Sequence, residues 1–321
     1  MKLFFTNIFT HPIQTTTRSL NMKKLLLSFI LFCLSFSTWA QISLKKSNGG
    51  FLILDHHQEV AFYQKAESST MRNNFLHPVF LPGEIPVTQS APDNHRGQSG
   101  IFWGWSRICI QGRQICNSWD ANAFIDKIKT VEFSRDSRGN GVLSVTGYWS
   151  SPNFRGGEYE FMKEQTTMVF HQQTGNYRQI DFHINLFSRV NQLELGHDST
   201  NQAGGFAIRM KMPRNVHFYS EKGKLKPGKK VVKAQKYVGL QGTFGPGNKQ
   251  GGIIIYAAPC SHSEEDQQWL LNRREGLQNA LFPSTSAIAL HQGHPLVLNY
   301  SLILYNGKIN LHHIIRVLEQ Q

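Results

Sequence analysis

Between residues 177 and 190 the side chains alternate. Ile180, Phe182, Ile184 and Leu186 occupy one set of positions, and Gln179, Asp181, His183 and Asn185 occupy the other. A period of two belongs to an extended strand, whose successive side chains leave opposite faces, so this segment carries one apolar wall and one polar wall. The segment 204–212 repeats the scheme, with Phe206, Ile208 and Met210 set against Arg209 and Lys211. Runs rich in β-branched and aromatic residues recur at 101–110, 126–135, 141–149, 157–171, 252–258 and 296–305, between Gly, Asn, Asp and Pro punctuation. Further upstream, 51–54 and 60–63 flank a polar turn at 55–59. With 40% hydrophobic and 17% charged residues the chain is packable rather than disordered. No repeat period and no low-complexity linker divides it. The reading is an all-β fold, a large antiparallel β-sandwich forming a single domain over 41–321. Helix is expected as a short C-terminal piece around 309–320, where Leu311, Ile314, Ile315 and Leu318 recur at helical spacing, and as a second piece at about 264–278.

The N-terminus reads as a leader. Met22-Lys23-Lys24 is a basic start, 25–36 an apolar run, and Ser37-Thr38-Trp39-Ala40 a small-residue end before Gln41. That span is too short for a stop-transfer helix and has the flanks of a cleaved signal peptide. Residues 1–21 read as an upstream extension from an earlier start codon. The expected mature chain begins near Gln41, carries no membrane span, and is periplasmic or secreted. The full chain has 34 basic and 21 acidic residues, net +13; loss of Lys2, Arg18, Lys23 and Lys24 with the leader leaves +9. Seven lysines crowd into 222–236; the first five, Lys222 to Lys230, flank Gly223, Pro227 and Gly228 and are expected on a solvated loop. No nucleic-acid motif is present, so an anionic polysaccharide is the partner that best matches a basic exported surface.

Cys109, Cys116 and Cys260 remain after the leader. With Gly112-Arg113 as a two-residue turn, Cys109 would sit opposite Cys116, which leaves a disulfide and a pair of thiols both open.

The segment His77-Pro78-Val79, then Asp93-Asn94-His95-Arg96-Gly97-Gln98-Ser99-Gly100-Ile101-Phe102-Trp103-Gly104-Trp105, resembles a bacterial family known as methane oxygenase PmoA-like, a domain of unknown function. Its members carry a His-Pro, a His-His-Arg-Gly run, an aromatic strand and a downstream Trp. Here Trp119, the run Gly204-Gly205-Phe206-Ala207-Ile208-Arg209, and Gly252-Ile253-Ile254-Ile255 before Pro259 also match, over roughly 49–305. The resemblance implies a galactose-mutarotase-like supersandwich from carbohydrate-degradation loci, with His77, His95, Arg96, Trp119 and Arg209 on matching positions. The oxygenase part of the family's label does not suit a chain without a membrane span. One departure is plain: Asn94 stands where the family has the first His of its run.

The chemistry read from these residues is that of an exported carbohydrate-active enzyme, a glycoside hydrolase or lyase using His and carboxylate acid–base steps. A glycan-binding protein using the same cleft is the alternative. His exchanges protons near neutral pH, and a carboxylate complements it. His95 is the expected proton-transfer group, with Asp181 or His183 as partner. Arg96 and Arg209 offer planar forks for carboxylates or paired hydroxyls, and His77 and Asn185 add polar contacts. Trp103 and Trp105 alternate onto one strand face where a sugar ring could stack, and Trp119 adds a third indole. These segments are expected to converge on one concave surface. No cofactor is expected, and no metal site: His56-His57 and His312-His313 are adjacent pairs whose side chains diverge. The leader reading predicts that exported material begins at Gln41, which intact-mass measurement of the secreted protein checks; a chain starting at Met22 contradicts it.

Overall fold

The computed structural model describes residues 42–65, 74–90, 98–120, 123–197, 203–245, 247, 249–260, 267–284 and 286–320. Its strands form two large antiparallel sheets. The first runs Ile42–Ser47, Gly50–Asp55, Gln58–Gln64, Phe75–Leu81, Ile101–Trp105, Gly204–Arg209, Leu277–Leu281, Gln268–Asn272, Val232–Lys233, with Ile85–Pro86 added beside Phe75–Leu81. The second runs Gly223–Leu225, Arg214–Ser220, Tyr237–Phe244, Lys249–Ala257, Leu296–Asn306, Tyr177–Ser188, Met162–Phe170, Gly141–Ser150, Ile125–Arg135. A four-stranded sheet holds Ile288–Leu290, Leu193–Gly196, Arg107–Ile110 and Arg113–Cys116. The antiparallel β-sandwich expected from the alternation is the fold.

The apolar wall of 177–190 is the inner face of the second sheet. Ile180, Phe182, Ile184 and Leu186 are all fully buried, and they meet Trp103, Trp105, Phe206 and Ile208 of the first sheet in one core. Phe182 stands edge-on to Phe206 at 5.0 Å and to Trp103 at 6.4 Å, while Phe206 stacks on Tyr300 at 4.6 Å. Offset and edge-to-face contacts of this kind add to the area each ring removes from water.

Polar groups also cross the sandwich. The buried Arg178 guanidinium donates to Asp55 at 3.0 Å, and the Gln173 N–H donates to the same carboxylate at 2.9 Å. Burial raises the Asp55 carboxyl, but these donors outweigh it and hold it below the usual carboxylate range. Glu164, fully buried, accepts from Asn74 (2.9 Å), Thr166 (2.8 Å) and Trp149 (2.9 Å), and Asn74 also donates to Asp126 at 3.0 Å. Buried charge of this sort is tolerated because it is hydrogen-bonded.

The C-terminal helix, Leu311–Leu318, is where its spacing predicted. Asn310 caps it through the His313 N–H, and Ile314 and Leu318 pack on Ile254, Tyr256, Ile303 and Tyr305, outside the second sheet. Two expectations are overturned. Within 264–278 the described residues form no helix: Gln268–Asn272 and Leu277–Leu281 are strands of one hairpin, with Trp269 and Leu271 buried at period two and Gly276 at φ +71° in the turn. The Cys109 hairpin turns at Gln111-Gly112, both at positive φ, and a register shift then sets Cys116 opposite Ile108 and Cys109 opposite Gln114. The two cysteines therefore leave opposite faces and are not bonded. Ile184→Ala should cost about 2–5 kcal/mol in a denaturant titration, whereas His183→Ala, on the exposed side of the same strand, should stay within about 0.5 kcal/mol.

Candidate functional site

Because Phe206 and Ile208 point into the core, Arg209 is carried to the outer face of the first sheet. It is fully buried there. Its guanidinium donates to the Gln98 side-chain oxygen and, at 2.9 Å, to the Glu275 carbonyl, while its Nε has no partner among the described residues. Burial lowers its pKa and the nearby Glu275 charge opposes that fall. On the same face Ala207 packs with Phe75, Phe102, Trp119, Ala203 and Leu277. Trp119 stands edge-on to Phe102 at 5.0 Å, and its indole N–H likewise lacks a partner among the described residues. Both donors keep hydrogen-bonding capacity to spare, as Trp103 Nε1 and Arg178 Nε do inside the sandwich.

The Gly204-Gly205 start of this strand is a close approach. Gly205 sits at φ +88°, where a Cβ would lie 2.6 Å from the Ala280 carbonyl oxygen. Asn279 holds the bend by accepting from the Gly204 N–H (3.1 Å) and donating to the Gly204 (3.0 Å) and Phe206 (2.8 Å) carbonyls.

His77 lies beside this patch. One ring nitrogen is 2.8 Å from the Thr88 hydroxyl and the other 3.1 Å from the Ser90 hydroxyl, so both are engaged. Gly100, at φ +59°, packs so closely that a Cβ there would overlap the Leu76 carbonyl oxygen and meet the His77 Cβ at 2.7 Å. Burial lowers the His77 pKa and Lys211 lowers it further, so the ring is neutral near pH 7.

His95 and Arg96 lie outside the described residues, within 91–97. Both flanks of that segment are tied to the patch. Ser90 meets His77 before it and Gln98 meets Arg209 after it. The Gln89 N–H donates to the Arg209 carbonyl at 3.1 Å, and the Arg209 N–H donates to the Gly100 carbonyl at 2.8 Å. His77, Trp119, Arg209 and the two ends of the His95 segment therefore share one outer face.

The remaining expected site residues are elsewhere. Trp103 and Trp105 are core residues, 2% and 0% exposed; Trp105 donates to the Phe282 carbonyl at 2.6 Å and leans on Trp149. The expectation that they stack a sugar is overturned, since their strand turns that face inward. Asp181, His183 and Asn185 lie on the outer face of the second sheet, on the opposite side of the sandwich from Arg209, so the expected convergence of these sets is also overturned. Asp181 accepts from Ser301 (2.6 Å) and Gln179 (2.8 Å) and pairs with His171 at 2.6 Å. Burial raises its carboxyl, but His171 and these donors hold it below the usual range. His183 bonds Asn299 at 2.8 Å, and Asn185 makes only a 3.5 Å contact with the Gln165 carbonyl. Sequence reasoning missed Thr88, Ser90, Gln98 and Glu275 at the first face and His171 at the second. The available signal was the polar alternation of 88 and 90 and the two-residue step from Arg96 to Gln98.

A family model described as a family of unknown function, DUF6807, matches residues 52–318. The chain belongs to this family. No curated protein matches the sequence. Among solved structures, the chain is similar to a variant of the GH36 alpha-galactosidase AgaA from Geobacillus stearothermophilus in complex with 1-deoxygalactonojirimycin, at 6% identity and TM-score 0.41, over 82% of this chain and 39% of that one. It is also similar to AgaB of the same organism (7%, 0.42, 82% and 38%) and to the alpha-galactosidase from Lactobacillus brevis (9%, 0.39, 83% and 38%). The chain spans about two fifths of the length of these structures. Among the described residues no helix is long and apolar enough to cross a membrane, and no group of three His, Cys, Asp or Glu is placed to hold a metal ion.

The His77 environment has a direct test. Its ring should titrate below the ordinary histidine value of about 6.5 in an NMR pH series. Stability associated with this lowered value is then present above about pH 6.5 and is lost as the pH falls through it.

Proposed function

We propose that this is an exported carbohydrate-active protein whose glycan site is the outer face of the first sheet around Arg209, Trp119 and the His95-Arg96 segment. The observation that carries the reading is the anchoring of both ends of that segment to the patch that holds His77 and Arg209. In this reading His95 transfers the proton, since imidazole is poised for it near neutral pH. Arg96 is the fork that meets ring hydroxyls or a carboxylate, while Arg209 and Trp119, both buried, form the floor beneath the segment. His77, with both nitrogens engaged, acts as a positioning residue at the base of the segment. Asp181 is on the other side of the sandwich, so the complementary carboxylate is assigned to Glu275, whose charge already bears on Arg209.

The mature protein, presented with neutral and acidic polysaccharides, should release reducing ends if it hydrolyses and ultraviolet-absorbing unsaturated sugars if it eliminates. His95→Ala should then lower kcat/KM by about 10²–10⁴-fold. Binding without either product, weakened by Arg209→Lys, would favour the glycan-binding alternative at the same face. Absence of both turnover and binding across the panel, or a His95→Ala enzyme as active as the parent, would overturn the reading.

A further inference from the structure

A second concave surface is cationic. At the edge where the two sheets end, a groove of about 670 Å³ opens between the strand Arg214–Ser220, the residues that follow the strand Gly223–Leu225, and the turn after Gln268–Asn272. That volume is within the range of ligand-binding clefts. Half-buried Leu225 and Pro227 supply the accessible apolar lining over the core residues Val216 and Phe218, and Lys224, Lys226, Arg273, His217 and Asn215 supply the polar lining. No Asp or Glu lines it, and neither lysine nor Arg273 is in an ion pair among the described residues. The basic wall is held in place, because the Gly228 N–H donates to the Leu271 carbonyl at 3.1 Å and so straps the Lys226-Pro227 turn across to the first sheet. The lysine-rich stretch expected to be a solvated loop is in part strand, with one wall of a cleft built from it.

We propose that this groove binds a segment of an anionic glycan chain, distinct from the Arg209 face. Sugar rings present apolar C–H faces suited to the apolar lining, and carboxylate or sulfate groups along the chain meet Lys224, Lys226 and Arg273. Lys229 and Lys230, exposed just after Gly228, do not line the groove. A neutral sugar would leave these cations without partners. The inference takes its polymer class from the proposed function, but its site is separate.

The test uses an oligogalacturonate and a sulfated dextran fragment as probes, with neutral dextran and polyglutamate as controls, in titration calorimetry on the full mature chain. Lys224→Gln/Lys226→Gln should weaken binding of at least one anionic glycan by about tenfold, while the charge-matched Lys229→Gln/Lys230→Gln should change it by less than about twofold. Arg209→Lys should leave groove binding intact. Equal loss in the two lysine doubles would show a diffuse field rather than a site and overturn the inference. So would polyglutamate binding as tightly as the glycans, or no binding at all. Loss in Arg209→Lys alone would place the anionic glycan on the other face, overturning this inference while leaving the proposed function standing.

Discussion

The contact of Phe182 with Phe206 and Trp103, and of Phe206 with Tyr300, joins the two sheets at their middle strands. Once these rings are inside, period-two geometry assigns every other residue of those strands to a face without further choice. Ile180 and Ile184 follow Phe182 inward and Asp181 goes out on one side; Ile208 follows Phe206 inward and Arg209 goes out on the other. A one-residue slip in either strand would bury the Asp181 or Arg209 side chain in the aromatic core. The same slip would turn Ile180, Phe182, Ile184 and Leu186 outward, and the loss of that apolar burial pins the register.

The core is not purely apolar, and its polar members lie where the sheets need tying. Arg178 reaches Asp55 across the sandwich, and Asn74 bridges Glu164 and Asp126 from separate strands while Tyr63 donates to its carbonyl at 2.9 Å. Burial and the two acids together push the Tyr63 hydroxyl well above its ordinary pKa, so it stays a neutral donor. Asn74 directly precedes the strand Phe75–Leu81, which carries His77. The buried network therefore adjoins the strand that carries His77.

Two surfaces with different chemistry result. The Arg209 face is a mostly apolar patch with a few buried donors and a neutral imidazole beside it. The groove at the sheet edges is apolar along part of its lining and cationic elsewhere. The two faces are reached by different strands, Gly204–Arg209 for the first and Arg214–Ser220 for the second, joined by only a few residues.

The alternation in 177–190 and 204–212 determined from the sequence alone that these are strands, which residues face the core, and that the fold is a sandwich. The spacing of Ile314, Ile315 and Leu318 likewise announced the terminal helix, and the His-Pro motif fell on the strand that carries His77. What the pattern could not decide was which outside a polar residue belongs to. Period two separates core from not-core, but a two-layer sandwich has two outer faces, and Asp181 and Arg209 went to opposite ones. The same gap hid the role of the tryptophans: Trp103 and Trp105 alternate onto one face, and only the packing of Phe182 against that strand identifies it as the inner one. Hairpin register was also beyond reach, because placing the turn at Gln111-Gly112 rather than Gly112-Arg113 is a one-residue choice, and with the shift that follows it sends the two cysteines to opposite faces. The two face assignments are long-range contacts between strands distant in sequence, about whose partner a local pattern carries no information; the hairpin register turns on a local bulge that alternation does not reveal.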